Sequence, residues 1–456
     1  MLRTVLSGSV MAIALATAPA YALQNTETAI ATAPSTVAGY HADLRELGAR
    51  IKAEHPRPFR VITEEDFDAL IEAEIDRLNE DATRADFLWA MSHLIASIGC
   101  GHSALPFFNQ QDAEIEVGQR FPAKVRFHDG RLYITDPLAN ADRLNVGQEI
   151  VAVNGIPVPT LREEIYSRIT ADVHLPNGKD QVANVYATSY LTYATGFPEQ
   201  YAVTLRGQSE PIALAALTEF SPDPILSPLD ACQDELCYER DEARNIGIAT
   251  LHRIDYYGGE RADAFVAWWA EVMDDLSAND RDGLLIDMRG ILGGSGNAGS
   301  YMLRHLSKEP FEFYSENSDP RGRESLFLTQ QPIDDGFDGE VYILIDGLTF
   351  SAAPHLFAIA QANGIATLIG EPAGGGKSTN DGKLRFTSTN EDVEYFIARM
   401  IFEVEAPQTG IDEAVRPDIA LTYSLDDTIK RTDTMREHAI ELLGLAAQRR
   451  GQEEPG

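Results

Sequence analysis

The sequence predicts an α/β protein with a helical N-terminal region and a small β-rich region ahead of the α/β core. Apolar residues recur at helical spacing within residues 36–110, and short strands with turn signals fill 115–210. Within 235–445 buried strands alternate with helical segments, which favours an open, largely parallel sheet. The chain has 456 residues, 44% of them hydrophobic, so it can fill at least one large core.

The helical region contains two segments with N-capping residues. Thr63 with Asp66 opens the first segment, and Thr83 with Asp86 opens the second. The apolar residues at helical spacing are Phe67, Leu70, Ile71, Ile75 and Leu78 in the first, and Phe87, Met91, Leu94, Ile95 and Ile98 in the second. We expect the second helix to end at a glycine-punctuated turn, residues 99–106.

The β-rich region is predicted from a hairpin signal and from a resemblance. Apolar residues on both sides of Asp129-Gly130 predict a β-hairpin. The next stretch resembles the PDZ pattern G-x-x-I-x-x-V-N-G-x-x-V, through Gly147, Ile150, Val153, Asn154, Gly155 and Val158. The resemblance implies a PDZ-like domain over 115–210, a fold that binds peptides at a sheet edge. Residues 159–200 fit the pattern poorly, so we expect an insertion there; a small β-domain without a ligand is the alternative.

The core is predicted from four buried strands and three helical segments. The strands are 246–251, 284–287, 341–346 and 366–369, and the helical patterns occupy 260–276, 297–307 and 351–363. A proline-dense linker at 221–228 precedes this core.

The N-terminus predicts where the protein acts, and the charge balance restricts its partners. Arg3, the apolar run 10–16 and Ala20-Tyr21-Ala22 predict a signal peptide over residues 1–22. We therefore expect a bacterial periplasmic or secreted protein with no integral membrane segment after signal removal. The net charge of -34, from 71 Asp plus Glu against 37 Lys plus Arg, argues against nucleic acid as a partner.

The three cysteines are interpreted on the expectation that the protein lies in an oxidising compartment. Cys232 and Cys237 are predicted to form a local disulfide that stiffens a loop. Cys100 could be a thiol nucleophile, but a small buried residue is the favoured interpretation.

Candidate functional residues lie at two junctions where a predicted strand runs into a turn. After strand 284–287, glycines at positions 290, 293, 294 and 296 precede a helix, and exposed N–H groups in such a loop suit an anion or an oxyanion. This loop lacks the ending of a phosphate-binding P-loop and the spacing of a dinucleotide fingerprint. The second junction places Ser351 at the start of a helix, as a nucleophile beside the N–H of Ala352 or as a helix N-cap.

The two junctions together resemble the motifs of the tail-specific (C-terminal processing) protease family. That family has D-x-R-x-N-x-G-G, then S-A-A-E, then I-G-E-x-T-x-G, and closes with P-D-I. This chain has, in the same order, Asp287, Arg289, Gly293 and Gly294, then Ser351-Ala352-Ala353, then Ile369-Gly370-Glu371 with Gly374, then Pro417-Asp418-Ile419. The resemblance covers most of residues 36–425 and implies a ClpP/crotonase-like core. Relatives include the tricorn core protease and the interphotoreceptor retinoid-binding protein.

The resemblance implies a role for each matching residue. Ser351 would attack the scissile carbonyl and form an acyl-enzyme, and the N–H groups of Gly293 and Ala352 would hold the oxyanion. Glu371 would position its loop. The substrate would be a peptide or an unfolded protein. No cofactor is implied, and no His/Cys/Asp cluster has the spacing of a metal site.

The general base is open between two residues. Bacterial members use a lysine in a G-K-G motif, and here Lys377 falls one position late within 374–378. The tricorn-like branch uses a histidine from an N-terminal G-H-S/T turn, which Gly101-His102-Ser103 matches. We therefore favour His102.

The residue that orients the base is also open. A distant glutamate has this role in the tricorn-like branch. Glu413, 62 residues past Ser351, lies in the matching region, and Glu403 or Glu405 could serve instead.

Two departures from the motifs keep a second class of function open. Ile291 replaces the asparagine of the first motif, and Pro354 replaces the glutamate after Ala-Ala. The alternatives to a serine-type peptidase are a catalytically silent protein that binds a peptide or hydrophobic ligand, and a hydrolase of another ester or amide. His355, one helical turn after Ser351, is expected to pack or to lie at the surface.

Overall fold

The structure is a computed structural model that describes residues 36–106, 112–116, 118–217, 232–333 and 336–453. The predicted signal peptide and the proline-dense linker lie outside these residues. Among the helices that are described, none has the length and apolar character needed to cross a membrane.

Three helices form the N-terminal region: Val37–Glu54, Glu64–Arg77 and Arg84–Ser97. Both predicted caps are present. Thr63 accepts from the N–H of Asp66, and Thr83 forms a reciprocal capping box with Asp86. The buried faces of these helices share one hydrophobic cluster with a hairpin of the core, residues 384–397. The helical region is therefore packed directly on the core.

The next region forms one antiparallel sheet. Its strands are β1 (Lys124–His128), β2 (Arg131–Asp136), β3 (Glu149–Val153), β4 (Ile156–Pro157), β5 (Gln200–Leu205) and β6 (Ile212–Ala215). The order is β1-β2-β3-β5-β6, with β4 beside β3. Asp129-Gly130 and Asn154-Gly155 have positive φ at both positions, as two-residue hairpin turns require.

Three helices fill the expected insertion between β4 and β5: Val158–Tyr166, Pro176–Val185 and Ala187–Ala194. They pack against the antiparallel sheet in one hydrophobic cluster. The PDZ-like assignment of this region stays a prediction.

The core is built on a second six-stranded sheet. Its strands are β7 (Leu236–Asp241), β8 (Ile246–Leu251), β9 (Gly283–Asp287), β10 (Glu340–Ile345), β11 (Thr367–Gly370) and β16 (Ile419–Ala420). The order is β16-β11-β10-β9-β8-β7, and every neighbouring pair is parallel except β7 with β8. The predicted α/β class and largely parallel sheet are confirmed.

Helices cover both faces of this sheet. They are Gly259–Ala278, Gly296–Leu306 and Ala352–Ala362 on one face and Thr434–Glu453 on the other, and a short helix, Leu425–Lys430, precedes the last of these. Two small ladders lie outside it, formed by β12 (Ser378–Asp381) with β15 (Met400–Glu403) and by β13 (Leu384–Thr387) with β14 (Glu394–Ile397). The predicted disulfide joins Cys232 to Cys237 at the start of the core.

The sheet brings the two candidate junctions together. β9 and β10 are adjacent and parallel, with Asp287 paired to Leu344. The loops that follow them therefore leave the same edge of the sheet, where α/β proteins place their sites.

Candidate active site

Ser351 lies between β10 and the helix Ala352–Ala362 in a strained conformation. Its φ of 62° and ψ of −119° fall where residues with side chains are rarely found. The side chain makes no capping bond to the helix, so the N-cap interpretation is not supported. Such a strand-to-helix elbow exposes a hydroxyl at the top of a sheet.

His102 lies against this hydroxyl. Its Nε2 is 2.9 Å from Ser351 Oγ, and 6% of its side chain is exposed. The turn packs closely on the residue before Ser351, because a Cβ on Gly101 would overlap the ring of Phe350. The chain just after the turn pairs with β14, which fixes the turn to the core.

The glycine loop after β9 also lies against Ser351. A Cβ on Gly293 would lie 2.9 Å from Ser351 Oγ and 2.8 Å from the carbonyl of Phe350, so a larger residue would crowd the hydroxyl. The N–H of Phe350 donates to the carbonyl of Ile291 at 2.9 Å, which ties the two loops together. The N–H of Ala352 belongs to the first turn of its helix, where amides have no intrahelical acceptor.

The two departures from the family motifs are accommodated by packing. The side chain of Ile291 is fully buried in the core cluster, while its carbonyl receives the bond that joins the loops. Pro354 is the third residue of helix Ala352–Ala362, where a missing N–H removes no helical hydrogen bond.

The second nitrogen of His102 contacts residues that sequence reasoning missed. Its Nδ1 lies 3.2 Å from Thr379 Oγ1 on β12. The Thr379 hydroxyl donates to Asp172 Oδ2 at 2.6 Å, and Asp172 Oδ1 accepts the N–H of Gly101 at 2.9 Å. Asp381 Oδ2 lies 3.9 Å from the other ring nitrogen, His102 Nε2. Thr379 and Asp172 belong to no motif of the sequence, so no local signal marks them.

The structure does not bring Glu413 or Lys377 to His102 and Ser351. The side chain of Glu413 is exposed and packs on Gly410. The ammonium of Lys377 donates to the carbonyl of Ala406 at 3.3 Å. In the part of the chain that the structure describes, neither side chain forms a hydrogen bond to His102 or Ser351.

The other glutamates considered also lie elsewhere. Glu403 is buried and accepts from Asn317 Nδ2 at 3.1 Å, and Glu405 is exposed. Glu371 accepts from Gln181 Nε2 at 3.3 Å, which joins its loop to the inserted helices, and burial raises the pKa of its carboxyl to about 7.

Two further candidates are buried and serve packing. His355 packs edge-on against Tyr314, and burial lowers the pKa of its imidazole to about 3. Burial raises the pKa of the Cys100 thiol to about 11, so it stays protonated at neutral pH and is a poor nucleophile.

The charged residues of the first motif form a structural ion-pair cluster. Asp287 Oδ2 lies 2.6 Å from Arg289, and Asp433 Oδ1 lies 2.7 Å from the same guanidinium. Because Asp433 immediately precedes helix Thr434–Glu453, the cluster fastens that helix to the sheet.

Comparisons with known proteins concern the family and the fold. Residues 249–421 match the model of peptidase family S41. The crystal structure of mature CPAF matches with a TM-score of 0.62 and 14% identity, covering 92% of this chain and 99% of CPAF. Mature CPAF complexed with lactacystin matches with a TM-score of 0.60 and 14% identity, covering 90% and 98%. No curated protein sequence matches the chain significantly.

The likeness to CPAF shows the fold over nearly the whole chain, and the family match covers the part that holds both junctions. Ser351 and the glycine loop lie inside the matched residues, in the order that the family motifs require. Residues 249–421, which hold Ser351 and the glycine loop, are therefore similar to peptidase family S41, the tail-specific proteases.

Proposed function

We propose that the chain is an exported serine-type peptidase that cleaves peptides or unfolded proteins through an acyl-enzyme on Ser351. The observation that carries the proposal is the 2.9 Å approach of His102 Nε2 to Ser351 Oγ at a strained elbow. This is the hydrogen-bond reach that proton abstraction by a general base needs.

In the first half-reaction, Ser351 Oγ attacks the scissile carbonyl carbon while His102 Nε2 takes the hydroxyl proton. The N–H groups of Gly293 and Ala352 donate to the oxyanion, each contributing roughly 3 kcal/mol to the transition state. The C–N bond then breaks as His102 returns the proton to the leaving amine. The acyl group remains as an ester on Ser351.

In the second half-reaction, water replaces the amine. His102 Nε2 takes a proton from the water as its oxygen attacks the ester carbon, and the same N–H groups hold the oxyanion. Collapse of the intermediate breaks the bond to Ser351 Oγ, which recovers its proton from His102. The carboxylic acid product leaves and the enzyme is regenerated.

Labelling with a fluorophosphonate, a probe of activated serines, tests the nucleophile and the base. Wild type should be labelled, Ser351→Ala should not, and His102→Ala should react on the order of 100-fold more slowly because the base is lost. Lys377→Ala should react like wild type. Ser92→Ala, at a buried helix serine that bonds to Trp89, is the matched control.

Three outcomes would contradict the proposal in different ways. Labelling that survives His102→Ala and disappears in Lys377→Ala would make Lys377 the base. A folded wild type that is never labelled would favour the silent binding protein. Labelling with hydrolysis of small esters, but with no cleavage of unfolded casein, would favour a non-peptidase hydrolase.

Export is supported by residues 1–22 and by the disulfide between Cys232 and Cys237, a bond that persists in oxidising compartments. Expression in a bacterial host followed by fractionation and N-terminal sequencing tests it. We expect a mature chain that begins at Leu23 in the periplasm or the medium. A cytoplasmic chain that keeps Met1 would contradict export.

A further inference from the structure

We infer that Thr379 and Asp172 are positioning residues that hold the imidazole of His102 in the tautomer able to accept the Ser351 proton. The inference rests on the proposed function. It assigns the orienting carboxylate to a segment ahead of the core, whereas the sequence places its candidate, Glu413, behind Ser351.

The hydrogen-bond chain fixes where each proton lies. An ionised carboxylate only accepts, so the 2.6 Å bond to Asp172 Oδ2 uses the single hydroxyl proton of Thr379. Thr379 Oγ1 then meets His102 Nδ1 at 3.2 Å as an acceptor, and Nδ1 must carry the ring hydrogen. Nε2 is left without a hydrogen and can accept from Ser351 at 2.9 Å.

The carboxylate is fully committed to this chain. Asp172 is 2% exposed and Thr379 is 3% exposed, so water does not compete for either. Asp172 Oδ1 accepts the N–H of Gly101, the residue before His102. One carboxylate therefore holds both the backbone of the histidine turn and, through Thr379, its ring. Such charge-assisted bonds are strong in a buried site.

The loop that presents Asp172 is strained. Val173 and His174 have φ of 43° and 59°, and a β-branched residue rarely adopts such a value. The N–H of Val173 donates to the carbonyl of Gly99 at 2.9 Å, which holds the loop on the histidine turn. Strain of this kind persists only where the surroundings fix the backbone, and here they place Asp172.

The same segment continues onto the core next to the nucleophile. A Cβ on Gly347, in the turn that leads to Ser351, would lie 2.9 Å from the carbonyl of Asn177. The inserted segment therefore contacts both the histidine turn and the serine turn. It is placed to set their separation as well as the ring orientation.

Steady-state kinetics on four variants test the assignment. Thr379→Val and Asp172→Asn should each lower kcat on the order of 100-fold with KM nearly unchanged, because the ring is misoriented while peptide binding is retained. Thr379→Ser keeps the hydroxyl and should retain most of the wild-type kcat. Asp43→Asn is the matched control, since Asp43 is a buried carboxylate that holds the N–H groups of Asn390 and Glu391 instead.

A second readout does not depend on activity. Nitrogen NMR of histidine-labelled protein, with the His102 signals assigned from His102→Ala, reports which ring nitrogen carries the hydrogen. We expect Nδ1–H in wild type and in Asp43→Asn, and a mixture of tautomers in Thr379→Val. Loss of the proposed function would appear separately, as hydrolysis that survives in Ser351→Ala.

Any of three results would overturn the inference. The first is a wild-type His102 ring with its hydrogen on Nε2. The second is a kcat in Thr379→Val equal to that of wild type. The third is a loss of kcat in Asp43→Asn as large as in Asp172→Asn, since the Asp172 carboxylate would then act only as a loop support.

Discussion

The backbone at Ser351 holds a single residue in an unfavourable conformation. A positive φ at a serine costs on the order of 1–3 kcal/mol, and the side chain recovers none of this by capping its helix. The cost is offset by the packing of Phe350 on the histidine turn and by its bond to the glycine loop. These contacts place the hydroxyl between His102 and Gly293.

Gly293→Ala should abolish most activity while the chain stays folded. The added methyl group would lie 2.9 Å from Ser351 Oγ, so it must displace either the hydroxyl or the glycine loop. We expect kcat/KM to fall on the order of 100-fold or more, the effect of losing an oxyanion donor. Steady-state assays together with circular dichroism measure this.

The matched control for this variant is Gly130→Ala. Gly130 also has a positive φ, of 74°, but a Cβ there would meet nothing within 4 Å. The Gly130→Ala variant therefore has the backbone strain without the crowding, and its activity should equal that of wild type. Equal activities for the two variants would show that Gly293 is not needed beside the nucleophile.

Sequence reasoning found the two candidate residues that the structure brings together, Ser351 and His102, and missed the residues that contact the second ring nitrogen. Ser351 and His102 lie in short motifs with a fixed local order, so a resemblance can find them. Thr379 and Asp172 are joined across 207 residues by tertiary packing alone. No spacing rule predicts such a pair, and the family resemblance points to Glu413 only through its region of the chain.

At the scale of elements, the strands that the sequence predicts best are those buried on both faces. In β8, β9 and β10 nearly every residue is buried, because helices cover both sides of the parallel sheet. Their unbroken runs of apolar residues are therefore visible in the sequence. The turns after β9 and β10 are visible as well, since they begin where the apolar runs end.

The strand that contains Thr379 cannot be predicted from the sequence, for the opposite reason. β12 reads Ser378-Thr379-Asn380-Asp381, a polar strand whose first three residues are buried. Its polar groups are satisfied by partners far away, such as Arg57, which donates to Asn380 Oδ1 at 2.9 Å. Hydrophobic periodicity cannot detect a strand that is buried for its hydrogen bonds.

The first helix, Val37–Glu54, was also not singled out by its sequence. It contains two glycines, and glycine disfavours helix interiors. The structure explains Gly48 by tertiary packing, because a Cβ there would crowd the side chain of Ile71 on the neighbouring helix. Close helix packing outweighs local propensity at this position.

At the scale of the whole molecule, the candidate site is assembled from three regions. The helical region supplies His102, the inserted segment supplies Asp172, and the core supplies Ser351 with its glycine loop. No region holds a complete set of these groups. We therefore expect the geometry of the candidate site to depend on how the inserted helices rest on the core.

Glu371 lies at that contact. Its carboxylate accepts from Gln181 of the inserted helix Pro176–Val185, and its backbone N–H donates to the carbonyl of Ile345 at the end of β10. Burial, together with the negative charge of Asp346, raises the pKa of Glu371 to about 7 from an ordinary value of 4.5. Between about pH 4.5 and about pH 7, the folded protein therefore holds a proton on Glu371 that the unfolded chain has already lost.

This difference makes the contribution of Glu371 to the free energy of unfolding fall as pH rises from about 4.5 through about 7. Glu371→Gln mimics the protonated side chain and removes the titration, so its stability relative to wild type should improve between pH 5 and pH 8. Urea unfolding at the two pH values measures this, and Glu210→Gln, at an exposed glutamate, is the control. A relative stability of Glu371→Gln that stays constant or worsens towards pH 8 would mean that this carboxyl ionises freely in the folded protein.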